Sequence, residues 1–163
     1  MDTVVCNTSP LITLAKADLL DLIPKEFSVA VVPSAVIEEI LQGPENDPMK
    51  GLIHKLSWLK QLILDPPLTP LGSWQLGRGE SEVIEYARRI QRVVVLLDDK
   101  DGRRVAQALQ IPVLGTLGLV PRSARRGGLA AFDIMTERLL GAGIYLDDSV
   151  ISSVRGSLMN DLQ

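Results

Sequence analysis

Val93-Val94-Val95-Leu96-Leu97 is a run of five aliphatic residues that ends abruptly in Asp98-Asp99-Lys100-Asp101. Five residues are too few for a typical helix, and valine favours strands. A continuous aliphatic run is typical of a strand that is buried on both faces, as in a parallel sheet. This stretch therefore predicts a central parallel strand that carries acidic side chains at its carboxyl end.

Weaker patterns predict that strands and helices alternate along the rest of the chain. Further strands are predicted over residues 3–6, 28–32, 59–64 and 112–114. Helices are predicted over residues 19–23, 34–41, 47–56, 81–90, 103–110, 132–140 and 148–158. Two more are predicted: one is capped by Ser9 and has Pro10 at its first position, and the other runs from Gly115-Thr116 to a break at Gly127-Gly128. Pro66, Pro67 and Pro70 predict a loop. Alternation requires crossover connections, so we predict an α/β fold with three layers (α/β/α) and a central, mainly parallel sheet.

Length and composition predict one cytoplasmic domain spanning residues 1–163. A chain of 163 residues with 46% hydrophobic and 23% charged residues is typical of one globular core. The aromatic share of 4% argues against a platform on which bases stack. No apolar run approaches the ~18 residues of a membrane span, and the start lacks a signal-peptide pattern. Cys6 is the only cysteine, which excludes an internal disulfide and a thiolate metal cluster.

Charge is distributed unevenly along the chain. The formal net charge is −3, yet the segment from Arg78 to Arg126 has ten basic and six acidic residues. A net acidic protein is a poor general binder of nucleic acid, because phosphate contacts supply most non-specific affinity. A basic face beside an acidic site suits an enzyme that grips a polyanion while holding a metal ion. A solvated surface explains the same arginines equally well.

Four polar positions are expected to gather at one end of the sheet. Open α/β sheets place ligand sites beyond the carboxyl ends of their strands. Asn7 follows the first predicted strand, and Asp98-Asp99 follows the aliphatic strand over residues 93–97. Glu80 is at the start of a predicted helix, just after two glycines, and Glu39 lies on the helix that follows the second strand. Hard oxygen ligands with a single histidine in the chain favour Mg²⁺, Mn²⁺ or Ca²⁺ over zinc.

Each acid also has a structural explanation. Asp98 and Asp99 are suited to cap the helix that follows them, and Glu80 is favourable in the first turn of its helix. Glu38 and Glu39 are ordinary residues of a helix surface. His54 is expected on the surface, far from the acids, and Cys6 in the core. No Ser-His-Asp or Cys-His arrangement is supported.

The first two polar positions lie in segments that resemble motifs of PIN-domain nucleases. Asn7-Thr8-Ser9-Pro10-Leu11-Ile12 is similar to the opening motif, in which Asp or Asn precedes Thr or Ser and an apolar helix. Residues 33–40 resemble the second motif, and the matching acid is Glu39. Asn7 replaces the acid of the first motif, which removes one negative charge from the site.

The other two motifs follow in the family's order. Residues 79–84 resemble the Gly-Glu variant of the third motif, with its acid at Glu80. Residues 93–101 resemble the fourth, and Asp99 is a better match than Asp98. Residues 111–118 look like those of a prokaryotic branch of uncharacterised PIN-like proteins. The resemblance covers residues 3–158.

The resemblance implies a metal-dependent endoribonuclease. In the family, acidic residues bind one or two divalent cations, Mg²⁺ or Mn²⁺, at which water is activated to attack a phosphodiester in line. The implied metal ligands are Asn7, Glu39, Glu80, Asp98 and Asp99, of which the four acids are catalytic. The implied RNA contacts are Arg78, Lys100 and Arg103, and Thr8 and Ser9 are supporting residues.

Three hypotheses about function follow from these patterns. The first is a ribonuclease that acts on RNA, as the toxin of a toxin–antitoxin pair. Its further partners would be an antitoxin protein and a second copy of the chain, and no association with a membrane is expected. The second is a catalytically weak or inactive PIN-like module that binds RNA or a protein, which Asn7 and the acidic net charge favour. A phosphorylated receiver-like domain ranks last, because it needs an acid pair where the chain has Asn7.

Overall fold

The computed structural model describes residues 3–64, 76–90 and 92–161. The strands are β1 (Thr3–Cys6), β2 (Val29–Pro33), β3 (Leu59–Leu62), β4 (Val93–Leu96) and β5 (Val113–Leu114). The helices are α1 (Thr8–Lys16), α2 (Leu22–Glu26), α3 (Ser34–Gln42), α4 (Pro48–Leu52), α5 (Arg78–Arg89), α6 (Lys100–Ala108), α7 (Thr116–Gly141) and α8 (Asp148–Asp161). None of the described helices is both long enough and apolar enough to cross a membrane.

The five strands form one parallel sheet in the order β3-β2-β1-β4-β5. Val5 of β1 is aligned with Val31 on one side and Val95 on the other. After β1, the chain adds β2 and β3 in turn on one side of β1, and it then crosses over to add β4 and β5 on the other side. The order therefore reverses between β1 and β4, which is where open parallel sheets bind their ligands.

The prediction of a parallel three-layer α/β/α fold is confirmed. Helices flank the sheet, and its central strands are almost fully buried: Val4 and Val5 of β1 and Val95 and Leu96 of β4 are each 0% exposed. α5 contacts β1, β2 and β4, and α7 contacts α1 and α2. Aliphatic side chains dominate this core, as the low aromatic content predicts.

The predicted start of the first helix was wrong. α1 begins at Thr8, with Asn7 in the N-cap position, so Pro10 is its third residue and Ser9 is not the cap. Proline is tolerated there because the first N–H groups of a helix have no partner within it. The same explanation applies to α2, which runs through Pro24 rather than ending before it.

Several predicted boundaries also differ from the structure. The predicted helix over residues 47–56 is limited to α4, whose N-cap Asp47 accepts a hydrogen bond from Met49 N at 2.9 Å. α5 and α6 each begin three residues earlier than predicted, and β3 ends at Leu62. The predicted loop at Pro66, Pro67 and Pro70 lies outside the described residues. The predicted break at Gly128 is confirmed, since its φ of 70° and ψ of −167° belong to a region that only glycine adopts readily.

Candidate active site

A broad cavity of about 830 Å³ lies at the carboxyl ends of β1 and β4. It is lined by Asn7, Thr8, Ser9, Ile12, Thr13, Lys16, Glu39, Gly77, Glu80, Asp98, Asp99 and Lys100. These residues come from the loops and helices that follow β1, β2 and β4 and from the start of α5. All five predicted metal ligands line this one cavity, although they are up to 92 residues apart, from Asn7 to Asp99.

Asn7 places an unsatisfied oxygen in this cavity. Its backbone N–H donates to Leu96 O at 3.1 Å, which extends the β1–β4 pairing by one residue. The side chain is 3% exposed and does not cap α1. Asn7 Oδ1 is buried and accepts no hydrogen bond from any described residue. An orphaned buried acceptor costs about 1–3 kcal/mol, so a ligand that donates to or coordinates this oxygen would stabilise the site.

Glu39 joins the starts of two helices. Thr8 Oγ1 donates to Glu39 Oε2 at 2.5 Å, and Gly79 N donates to Glu39 Oε1 at 2.9 Å. Thr8 and Gly79 lie in the first turns of α1 and α5, where a negative charge is favourable. A Cβ atom at position 79 would lie 2.6 Å from Glu39 Oε2, so this contact requires glycine.

Glu80 lies in a crowded acidic environment. Burial raises the pKa of its carboxyl, and the negative charges of Asp99, Glu39 and Asp101 raise the pKa further. A hydrogen bond from Gly77 N to Glu80 Oε2, at 3.4 Å, acts in the opposite direction. Burial and the neighbouring carboxylates thus both favour the neutral form of Glu80, and a cation in the cavity would favour the charged form.

Asp99 caps α6, as the structural explanation predicted. Its Oδ1 accepts hydrogen bonds from Asp101 N at 2.8 Å and Gly102 N at 3.0 Å. Among the described residues, no hydrogen bond reaches its other carboxylate oxygen, and the side chain is exposed to the cavity. Capping therefore occupies one oxygen of Asp99 and leaves Oδ2 for a ligand.

Asp98 has both oxygens engaged by one threonine. Thr116 N donates to Oδ1 at 2.7 Å, and Thr116 Oγ1 donates to Oδ2 at 2.6 Å. Thr116 is the first residue of α7, so this pair fastens the end of β4 to that helix. A Cβ atom at position 115 would lie 3.2 Å from Asp98 Oδ1 and 2.7 Å from Arg103 Nη1, which explains Gly115. Asp98 is thus held by structural contacts in this arrangement.

The three predicted RNA contacts differ in their surroundings. Arg78 Nη1 pairs with Glu38 Oε2 at 2.5 Å, and Arg78 Nε lies 3.6 Å from Glu82 Oε1. Arg103 Nη1 donates to Leu97 O at 3.0 Å. Only Lys100 lines the cavity. Of the two supporting residues, Thr8 holds Glu39 and Ser9 is exposed at the cavity wall.

Sequence reasoning missed a contact that Glu82 makes between two helices of the site. Its Oε2 accepts from Ala35 N, in the first turn of α3, at 3.0 Å, and its side chain is 11% exposed. Together with the Arg78–Glu38 pair, this contact ties α5 to α3, the two helices that carry Glu80 and Glu39. The partner lies 47 residues away, so no local pattern signals the contact.

His54 and Cys6 lie where the sequence predicts. His54 is exposed in the turn after α4 and does not line the cavity. Cys6 is 0% exposed, and burial raises the pKa of its thiol to about 12. Neither residue is placed to act as a nucleophile or base at the acidic cavity.

The donor atoms of the cavity suit a hard divalent cation. They are carboxylate and amide oxygens, which Mg²⁺ and Mn²⁺ prefer, and Asn7 Oδ1 is free to coordinate. However, no three His, Cys, Asp or Glu side chains within the described parts of the chain are gathered closely enough to form a ready metal site. Both carboxylate oxygens of Glu39 accept hydrogen bonds from Thr8 and Gly79. The chemistry of the donor atoms therefore fits a hard divalent cation.

Comparison with known families agrees with this geometry. A family model described as the PIN domain matches residues 3–159, nearly the whole chain. The chain belongs to the PIN-domain family, whose fold is typical of nucleases that act on nucleic acids. The resemblance found in the sequence motifs is thereby confirmed. No curated protein matches the chain.

Proposed function

We propose that this protein is a divalent-cation-dependent endoribonuclease with its site in the cavity at the ends of β1 and β4. The observation that carries the proposal is the buried, unpartnered Asn7 Oδ1 in a cavity that four acids also line: Glu39, Glu80, Asp98 and Asp99. An unsatisfied buried oxygen calls for an explanation, and a cation bound between this oxygen and the neighbouring carboxylates would supply one. The PIN-domain fold supports nuclease chemistry in general.

The residues that would hold Mg²⁺ or Mn²⁺ are Asn7, Glu39, Glu80 and Asp99. Asp98 supports them by fastening the end of β4 to α7 through Thr116. When bound, the cation would neutralise the scissile phosphate and make water a better nucleophile. Glu39 would leave its hydrogen bond with Thr8 to take part, whereas Asp99 can keep its cap through Oδ1. Lys100 would attract the phosphate backbone into the cavity.

One structural feature favours the second hypothesis, a PIN-like module that binds RNA or a protein without cutting. The protein itself occupies both oxygens of Glu39 and of Asp98 and one oxygen of Asp99. If these contacts persist when cations are present, only Asn7, Glu80 and Asp99 Oδ2 remain to hold an ion, and Glu39 takes no part. The single-domain organisation, the cytoplasmic location, the antitoxin partner and the homodimer remain predictions from the sequence.

Cleavage of RNA tests the proposal directly. Labelled single-stranded RNA would be incubated with purified protein in Mg²⁺, in Mn²⁺ and in EDTA. We expect cleavage with either cation and none in EDTA. Asp99→Asn should abolish cleavage while preserving the fold, because asparagine is as good an N-cap as aspartate. Asp148→Asn is the control, since Asp148 is an exposed acid in the first turn of another helix, α8, and does not line the cavity.

Two results would count against the proposal. Absence of cleavage in both cations, for protein that is folded and free of inhibitor, would favour the non-cutting module. Equal cleavage by wild type and Asp99→Asn would show that the activity does not use this site.

A further inference from the structure

Two unpaired lysines border the acidic cavity. Lys16 lies in the last turn of α1 and Lys100 is the first residue of α6; both are exposed, and both line the cavity. Neither makes a salt bridge or a hydrogen bond with any described part of the chain. Arg78 and Arg103, by contrast, already have protein partners. The cations available to a ligand in this cavity are therefore Lys16 and Lys100.

Two hydroxyl side chains lie on the same helix face as Lys16. Ser9, Thr13 and Lys16 are spaced by four and three residues, so they lie on one face of α1, and all three line the cavity. At a rise of ~1.5 Å per residue they extend over roughly 10 Å. We call these three residues the α1 strip; they present two neutral donors and one ammonium group to the cavity.

Helix electrostatics explain Lys16 but not Lys100. A lysine in the last turn of a helix is favourable, because the carbonyl end of the helix carries a partial negative charge. A lysine at the first position of a helix is unfavourable for the same reason, and that is where Lys100 lies. Its position is better explained by a ligand that carries negative charge.

We propose that the α1 strip and Lys100 bind the phosphodiester backbone of single-stranded RNA and hold it against the acidic cavity. The proposal rests on the proposed function and adds residues to it, since Lys16, Ser9 and Thr13 become backbone contacts in place of Arg78 and Arg103. Acids repel phosphates, so a strand enters such a cavity only if neighbouring cations compensate them. A cavity of about 830 Å³ is the size of a small-ligand site, which admits a few nucleotides of one strand.

The salt dependence of RNA binding tests this inference without requiring metal or cleavage. Anisotropy of a short labelled oligouridine would be measured in EDTA over a series of NaCl concentrations, for wild type, Lys16→Ala and Lys100→Ala. Each phosphate contact on a single strand contributes about 0.7 to the slope of log K against log salt. We expect each variant to bind more weakly and to lose about 0.7 of that slope. Lys60→Ala is the control, because Lys60 is exposed on β3 and outside the cavity.

The outcomes separate this inference from the proposed function. The inference would be overturned if Lys16→Ala and Lys100→Ala both gave the same slope of log K against log salt as wild type. An equal loss of slope in Lys60→Ala would also overturn it, as would failure of wild type to bind the RNA. Loss of slope in the two cavity variants alone would support it even in a protein that cleaves nothing. Circular dichroism of each variant checks that the fold is intact.

Discussion

Asn7 is the residue at which this site departs from a set of four acids. The amide has the shape of aspartate without its charge, so it supplies an oxygen while lowering the negative charge of the cavity. Its Oδ1 is buried and unpartnered in the described structure. Because the carboxylates of Asp99, Glu39 and Asp101 already repel that of Glu80, a neutral side chain at position 7 also limits the repulsion within the cavity.

Asn7→Asp is expected to raise the affinity for Mn²⁺ and to lower the stability of the cation-free protein. The new carboxylate adds a charge that attracts the cation, and without the cation it is buried at a position only 3% exposed. Calorimetric titration and thermal denaturation, with and without Mn²⁺, measure both effects. Asn160→Asp adds the same charge to an exposed position on α8 and serves as the control. Unchanged Mn²⁺ affinity in Asn7→Asp would show that position 7 does not reach the ion.

Most of the site residues could be predicted from the sequence, but their partners could not. The position of Asn7, Glu80 and Asp99 at the ends of strands or starts of helices is a local property. The hydrogen bonds of Glu39 to Thr8 and Gly79 join residues 31 and 40 positions apart. Such contacts depend on how α1, α3 and α5 pack, and no local pattern contains that information.

The contact between α3 and α5 sets the distance between two of the acids. Glu39 lies on α3 and Glu80 lies on α5. Glu39 accepts a hydrogen bond from the N–H of Gly79, the residue before Glu80. Glu82, on the same helix as Glu80, accepts from Ala35 N at the start of α3. Its carboxylate is favourable there, since the N-terminus of a helix attracts negative charge. We therefore expect Glu82 to act as a positioning residue for the site.

Glu82→Gln is expected to lower both the melting temperature and the Mn²⁺ affinity. Glutamine keeps an oxygen that can accept from Ala35 N but loses the negative charge that is favourable at the start of α3 and near Arg78. The loss of that charge costs about 1 kcal/mol and loosens the contact between α3 and α5. Glu85→Gln is the matched control, because Glu85 is a buried acid on the same helix whose partners, Arg88 and Arg89, lie within that helix. It should lower stability and leave Mn²⁺ affinity unchanged. Equal Mn²⁺ affinities in the two variants would contradict a positioning role for Glu82.

At the level of helices and strands, the sequence predicted the elements better than their ends. The aliphatic run of β4 and the following acids located the central strand correctly, because burial on both faces leaves a strong local pattern. The early start of α6 followed from Asp99 acting as its cap rather than from apolar spacing. Prolines in the first turns of α1 and α2 were misread as starts and stops, since a proline there costs no helical hydrogen bond.

The site exists because of the topology of the whole sheet. The reversal of strand order between β1 and β4 brings Asn7 beside the acids at the end of β4, and α3 and α5 bring Glu39 and Glu80 to the same edge. The alternation of strands and helices predicted this architecture from the sequence. The same pattern could not predict that Arg78, Arg103 and Asp98 make hydrogen bonds or ion pairs within the protein. These contacts decide which side chains remain available to a ligand.

Calorimetric titration of the metal-free protein with Mn²⁺ tests the central claim most directly. The account predicts that wild type binds Mn²⁺, that Asp99→Asn binds it much more weakly, and that Asp148→Asn, changed at an exposed acid outside the cavity, binds it like wild type. Asparagine keeps the cap of α6, so weaker binding in Asp99→Asn would report the lost charge and not a lost helix. Absence of Mn²⁺ binding by folded wild type, or equal binding by wild type and Asp99→Asn, would contradict a cation site at the end of β4.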